Sequence, residues 1–112
     1  MIDSLLLREH KAMGGIMTGS GELAWTKQQV FDLLEIMTER KWIILGGDVL
    51  NKWKEYTYDS WHYESNYRIP LEANVKESIN SCRRYVTEYS NKNGDDYLFV
   101  LVISDTFVEG AM

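Results

Sequence analysis

WIILGGDVLNKWKEYTYDSWHYE, residues 42–64, is the stretch whose reading decides the fold. Its first half, Ile43-Ile44-Leu45, is bulky, largely β-branched and apolar, which favours a strand. Gly46-Gly47 interrupts that run, and glycine inside a strand marks a bulge, a bend or the close approach of another backbone. Residues 42–50 are therefore predicted as one strand and 54–64 as a second, with a turn at Asn51-Lys52. In the second strand Tyr56 and Tyr58 share a face by the period of two, while Trp61 and Tyr63 have the opposite parity. A bulge at Asp59-Ser60 would bring all four rings to one side. The segment holds three of the four tryptophans and three of the seven tyrosines, with Asp48, Asp59 and Glu64 among them. Aromatics and carboxylates gathered this way suit grip on another macromolecule better than chemistry.

Helices are well marked on both sides of this hairpin. Thr26 is a good N-cap with Gln29 three residues on, a capping box, and Trp25 and Val30 occupy the staple positions around it. Val30, Leu33, Leu34 and Met37 follow the spacing of one apolar helical face, and Arg40 and Lys41 suit the negative end of that helix. Pro70 can open a third helix. Leu71, Val75, Ile79, Cys82, Val86 and Tyr89 then form one long apolar stripe, and Asn93-Gly94 closes the helix with a residue free to take positive φ. Tyr97 to Ile103, YLFVLVI, is a continuous apolar run, expected to be a central strand buried on both faces. Residues 4–13 suit a short helix with Leu5, Leu6 and Met13 inward. Residues 14–21, GGIMTGSG, contain four glycines and read as a mobile loop. That loop lacks the lysine a phosphate-binding loop requires.

The order α-α-β-β-α-β does not alternate regularly. It predicts an α+β fold: a small, mainly antiparallel sheet with the helices packed on one face. The 112 residues are expected to form a single domain, with 1–21 a flexible N-terminal segment and 106–112 a loose tail. The chain is 45% hydrophobic and 26% charged, the balance of a soluble globular protein. The opening MIDSLLLREHK does not make a secretion signal, no stretch is apolar enough to span a membrane, and the single cysteine agrees with a reducing compartment. A cytoplasmic protein is expected. Formal charge is −5, from 17 acids against 12 bases. Phosphate repels such a surface, so neither nucleic acid nor membrane is an expected partner, whereas a basic protein is.

Reactive constellations are absent from the sequence. His10 and His62 lie far apart and no Cys-x-x-Cys exists, so no metal or other cofactor is expected. Cys82 falls in the apolar stripe, where a thiol is a small core residue with a raised pKa. There is no Gly-x-Ser-x-Gly elbow. Asp48, Asp59 and Glu64 could supply paired carboxylates to a small hydrolase, but that chemistry needs a deep cleft that a chain of this size rarely forms. A regulatory adaptor or homodimer packed through its aromatics is a third alternative. Gly46-Gly47-Asp48 also resembles the start of the Gly-Gly-Asp-Glu-Phe signature of diguanylate cyclases, but Val49-Leu50 replaces the rest.

Glu22-Leu23-Ala24-Trp25, then a helix, then Ile44-Leu45-Gly46-Gly47-Asp48-Val49, then Tyr58-Asp59-Ser60-Trp61 with Tyr63-Glu64, resembles the immunity protein 40 family over roughly residues 22–103. The family comprises small bacterial proteins encoded beside polymorphic toxins, contact-dependent growth inhibition effectors among them. The resemblance implies a non-enzymatic protein, a monomer or weak dimer, that binds the C-terminal domain of its cognate toxin and occludes the active site or a nearby surface. An acidic inhibitor suits a nuclease, whose substrate site must be basic. The candidate toxin-binding residues are Asp48, Asp59, Trp61, Tyr63 and Glu64.

Overall fold

A computed structural model describes residues 2–12, 16–18, 22–66 and 68–104. The chain runs α1 (Ile2–Ala12), β1 (Ile16–Met17), β2 (Leu23–Thr26), α2 (Lys27–Arg40), β3 (Ile43–Leu50), β4 (Tyr56–His62), α3 (Leu71–Asn93) and β5 (Leu98–Ser104). The strands form one antiparallel sheet in the order β1-β2-β5-β3-β4. This is the expected α+β architecture, with two strands added. β2 is four residues long and runs straight into the capping box, whose signal hides it; β1 is two residues inside the glycine-rich stretch read as loop. Residues 14, 15 and 19–21 of that stretch, Met13 and the tail 106–112 lie outside the described residues.

Local chemistry fixes the helix ends. Thr26 Oγ1 accepts the Gln29 N–H (3.2 Å) and Gln29 Oε1 accepts the Thr26 N–H (2.9 Å), so two of the donors orphaned at the start of α2 are satisfied reciprocally. Lys41 takes φ 58 as the C-cap, and the Trp42 N–H returns to Met37 O (3.1 Å). Gly94, at φ 97, ends α3.

The core fills the face of the sheet that carries the helices. Trp25 and Val49 both oppose Phe99 in register, and these pack with Val30, Leu33, Leu34 and Met37 of α2 and Val75, Ile79, Cys82 and Val86 of α3. Leu6 of α1 joins the same cluster, and buried His10 sets its ring edge-on to Trp25 with Nε2 3.0 Å from Ala24 O. On the other face Ala24, Leu50, Leu98 and Val100 are buried together, but Val102 is half exposed. β5 is thus central, as expected, and doubly buried only over Leu98–Val100.

The glycine pair shapes the edge of the sheet. Between Ile44 and Gly46 the pairing with β5 shifts register, which leaves Leu45 as a bulge. α3 supplies the missing acceptor: the Ile44 N–H donates to buried Ser78 Oγ (3.1 Å). Gly46 has φ +147, and a side chain there would strike the Trp61 backbone. A Cβ on Gly47 would overlap the Trp61 ring and sit 2.6 Å from Val100 O. The space that Gly47 leaves is filled by the Trp61 indole, which stacks on Tyr85 of α3 at 4.6 Å. Trp61 Nε1 is buried and has no acceptor among the described residues, so shape and stacking alone hold the ring.

Trp61→Ala is therefore expected to lower unfolding free energy by about 3–5 kcal/mol, and Trp61→Phe by clearly less, since no hydrogen bond is lost. Gly47→Ala should cost about 1–3 kcal/mol through overpacking. Urea denaturation followed by circular dichroism measures all three, and a neutral Gly47→Ala would refute the seat described for Trp61.

Candidate functional site

β3 and β4 do not pair uniformly. Asp48 opposes Ser60, yet Leu50 opposes Tyr56, so Thr57, Tyr58 and Asp59 together face Val49 alone. The extra residues form a bulge that overlaps the Asp59-Ser60 position expected from sequence and extends two residues before it. Tyr58 sits at its apex with φ 70. Thr57 Oγ1 donates to Val49 O (3.0 Å) and accepts the Asp59 N–H (3.2 Å), while the Tyr89 hydroxyl of α3 donates to Asp59 Oδ2 (2.8 Å). The bulge does not gather the four rings on one side. It turns Trp61 into the core, leaves Tyr63 half-buried, and exposes Tyr56 and Tyr58.

The five residues singled out by sequence are thereby divided. Asp48 lies on the face without helices, half-buried, opposite Ser60 on β4 and Val100 on β5. It borders a shallow hollow of about 220 Å³ between Gly46, Gly47, Ser60, His62 and Val102. Asp59 is exposed, but its carboxylate points to α3. Asp48 on β3 and Asp59 on β4 thus leave the hairpin on opposite faces and do not form the carboxylate pair a hydrolase would need. Trp61 is in the core. The Tyr63 hydroxyl donates to Asn74 Oδ1 (2.9 Å), with Glu77 Oε1 at 3.3 Å. Glu64 is exposed on the segment after β4.

Several partners of these residues escaped the sequence reading. Asn74 is fully buried, accepts the Asn66 N–H (2.7 Å) and donates to Asn66 O (2.8 Å), pinning the connection from β4 to α3. Tyr85 and Tyr89, one helical turn apart, continue the stack from Trp61 toward Tyr97 and Phe99. The spacing of the two tyrosines is the available signal, but Tyr89 also completes the apolar stripe of α3, which masks it. Asn74 carried no signal, since an asparagine in a first helical turn usually faces solvent. At the hairpin tip, Asn51 Oδ1 accepts the N–H groups of Trp53 (2.9 Å) and Glu55 (3.1 Å) and displays the exposed Trp53 ring beneath the Lys52 ammonium, 4.8 Å away.

A model of the family described as Immunity protein 40 matches residues 14–103. The chain belongs to that family. No curated protein and no solved structure matches it. The matched span takes in the whole β3–β4 hairpin and both helices behind it, and leaves α1 outside. Within the Imm40 span, Cys82 is buried and desolvation pushes its thiol up to about 12, against a smaller opposing pull from Arg83, which is the behaviour of a core residue and not of a nucleophile. A groove of about 410 Å³ between α2 and α3 has an apolar floor of Val75 and Ile79 and a rim carrying Lys41, Lys76 and Arg83. The Lys41–Glu72 ion pair (3.1 Å) crosses its mouth, and that hydrogen bond lowers the Glu72 carboxyl. Among the described residues, no helix is long and apolar enough to cross a membrane, and no three His, Cys, Asp or Glu side chains converge as metal ligands would.

Tyr63 and Tyr89 make the hairpin's attachment to α3 sensitive to alkali. Burial chiefly, then Glu77, pushes the Tyr63 phenol from 10.0 up to about 12. Burial chiefly, then the hydrogen bond to Asp59, does the same for Tyr89. The folded state holds the protons more tightly than the unfolded chain, so this stabilisation is complete below pH about 10 and is lost as pH rises toward 12. The thermal midpoint should fall through that window. Tyr63→Phe and Tyr89→Phe should each flatten the fall, and slopes equal to wild type would show that these phenols are not coupled to folding.

Proposed function

We propose that this chain neutralises the toxin encoded with it by seating the β3–β4 hairpin against the basic surface of that toxin's C-terminal domain. Membership of the Immunity protein 40 family is the observation that carries this reading. Charge supports it. The hairpin and its flanks carry Asp48, Glu55, Asp59 and Glu64 against Lys52 and Lys54, within a chain of net charge −5. Such a surface steers a basic partner and repels nucleic acid and anionic lipid. A nuclease fits this description, because its substrate site holds phosphate, and the carboxylates of the inhibitor would occupy the phosphate positions.

In this reading Asp48, Asp59 and Glu64 present charge, while Trp61 and Tyr63 stand behind them and hold the strand in place. The chain acts by occlusion, without turnover, in the cytoplasm of the producing cell, as a monomer or weak dimer and without a cofactor. Co-expression with the neighbouring toxin domain should restore growth, and failure to rescue would sink the proposal. Asp48→Lys and Glu64→Lys should each weaken toxin binding by about tenfold with circular dichroism unchanged. Unaltered affinity in both variants would move the interface off this hairpin.

A further inference from the structure

Tyr58 is the residue the fold exposes most deliberately. Tyr58 is 94% exposed, against 69% for Trp53, 49% for Val102 and 39% for Tyr56. Its backbone lies at φ 70, in the left-handed region that residues with a Cβ enter rarely, and least readily when the side chain is bulky. Random exposure on a strand needs no such conformation. A regular β4 would have continued the ladder through 57–59, with each residue paired to β3 in turn. Both neighbours are tied down instead, Thr57 to Val49 O of β3 and Asp59 to the Tyr89 hydroxyl of α3. The bonds that hold the bulge therefore leave the one ring at its apex free. Bulges recur where a strand must re-aim a side chain, and strain held in place by its surroundings points to function.

We propose that Tyr58 is the principal anchor with which this chain grips its toxin, entering an apolar socket rimmed by lysine or arginine. The inference rests on the toxin-binding reading above and names the contact that reading leaves open. Three properties fit an anchor. The ring is large and stiff, with only two side-chain torsions to freeze. Its backbone is fixed beforehand, so little ordering is required on binding. Glu55 and Asp59 lie within three residues of it in sequence, so that a cationic rim on the partner meets opposite charge and the face of a phenol ring at once. Trp53 and Tyr56 flank the contact on the same hairpin, the first on a turn that Asn51 holds rigid. A second copy of this chain is a poorer occupant, since it would bring the same acids face to face.

The test is calorimetric titration of the intact chain with an inactivated form of the neighbouring toxin domain. Asparagine tolerates positive φ, so Tyr58→Asn should keep or raise the thermal midpoint while affinity falls at least about tenfold. Tyr58→Phe, which keeps the ring, should stay within about threefold of wild type. Tyr58→Gly, which also accepts the backbone, should repeat the loss and stands in should the asparagine variant misfold. Wild-type binding that survives Tyr58→Asn and Tyr58→Gly overturns the anchor and leaves the immunity reading intact. Absence of wild-type binding overturns both. Loss of wild-type self-association on Tyr58→Asn, with toxin affinity unchanged, would assign the ring to a second copy and overturn the anchor.

Discussion

The Trp61 indole lying across Gly47 is the contact on which the rest of the hairpin depends. Because position 47 has no side chain, the edge strand can send its largest residue inward over the neighbouring strand and onto Tyr85 of α3. The stack then passes to Tyr89, and the Tyr89 hydroxyl reaches Asp59, two residues before the tryptophan that began it. The loop of contacts is closed, and the bulge at 57–59 sits inside it. Magnitudes show why the bulge can persist. A bulky residue in the left-handed region costs roughly 1–2 kcal/mol. Aromatic pairs return about 0.5–1.5 kcal/mol each, and a hydrogen bond to a carboxylate about 1.5–3 kcal/mol, less where water competes. Two stacked pairs and one such bond outweigh one strained residue even after discounting for exposure.

That arrangement separates two tasks along one strand. In the proposed complex, charges on the hairpin act over a Debye length, about 8 Å at physiological salt, and so would mainly set how often a basic partner arrives. Rings act only on contact and mainly set how long it stays. A strand of plain alternation would have shown every second residue to solvent. With the bulge, the backbone keeps its inward residues on α3 and still turns aromatic surface outward at Tyr56 and Tyr58.

Residues whose role is local were legible in the chain itself. The Thr26–Gln29 box, the stripe from Leu71 to Tyr89 and the stop at Gly94 each depend on neighbours within a turn or two, and each is present in the fold. Gly46-Gly47 was legible as a disturbance but not as a seat, because its partner Trp61 lies across a turn of unknown register. The bulge at 57–59 overlaps the expected Asp59-Ser60 but does not gather the rings, because period-two parity cannot tell which side of a bulge faces the core. β2 went unseen because four residues beside a strong helix start carry little signal of their own. Asn74 was invisible for a different reason. Its burial comes from Asn66, Ile69 and Pro70 returning over the start of α3, which no helical period encodes.

The candidate list drawn from sequence mixed two kinds of residue, and the structure shows why they travel together. Gly46, Gly47 and Trp61 are the most recognisable letters of the hairpin because few alternatives satisfy their geometry: one position needs φ +147, one needs no Cβ, and one needs an indole to fill the gap. Such residues are buried by the same constraint that makes them recognisable, so they have little surface left for a partner. Residues on the other side of the constraint are free to differ. Tyr58 is almost wholly exposed and Trp53 largely so, and neither belongs to the core, so exchange for a residue that tolerates the same backbone leaves the core packing in place. If the hairpin is the toxin-binding element, as proposed, a scaffold of this kind lets specificity change at its tip and apex while the contact between position 47 and position 61 keeps it in place.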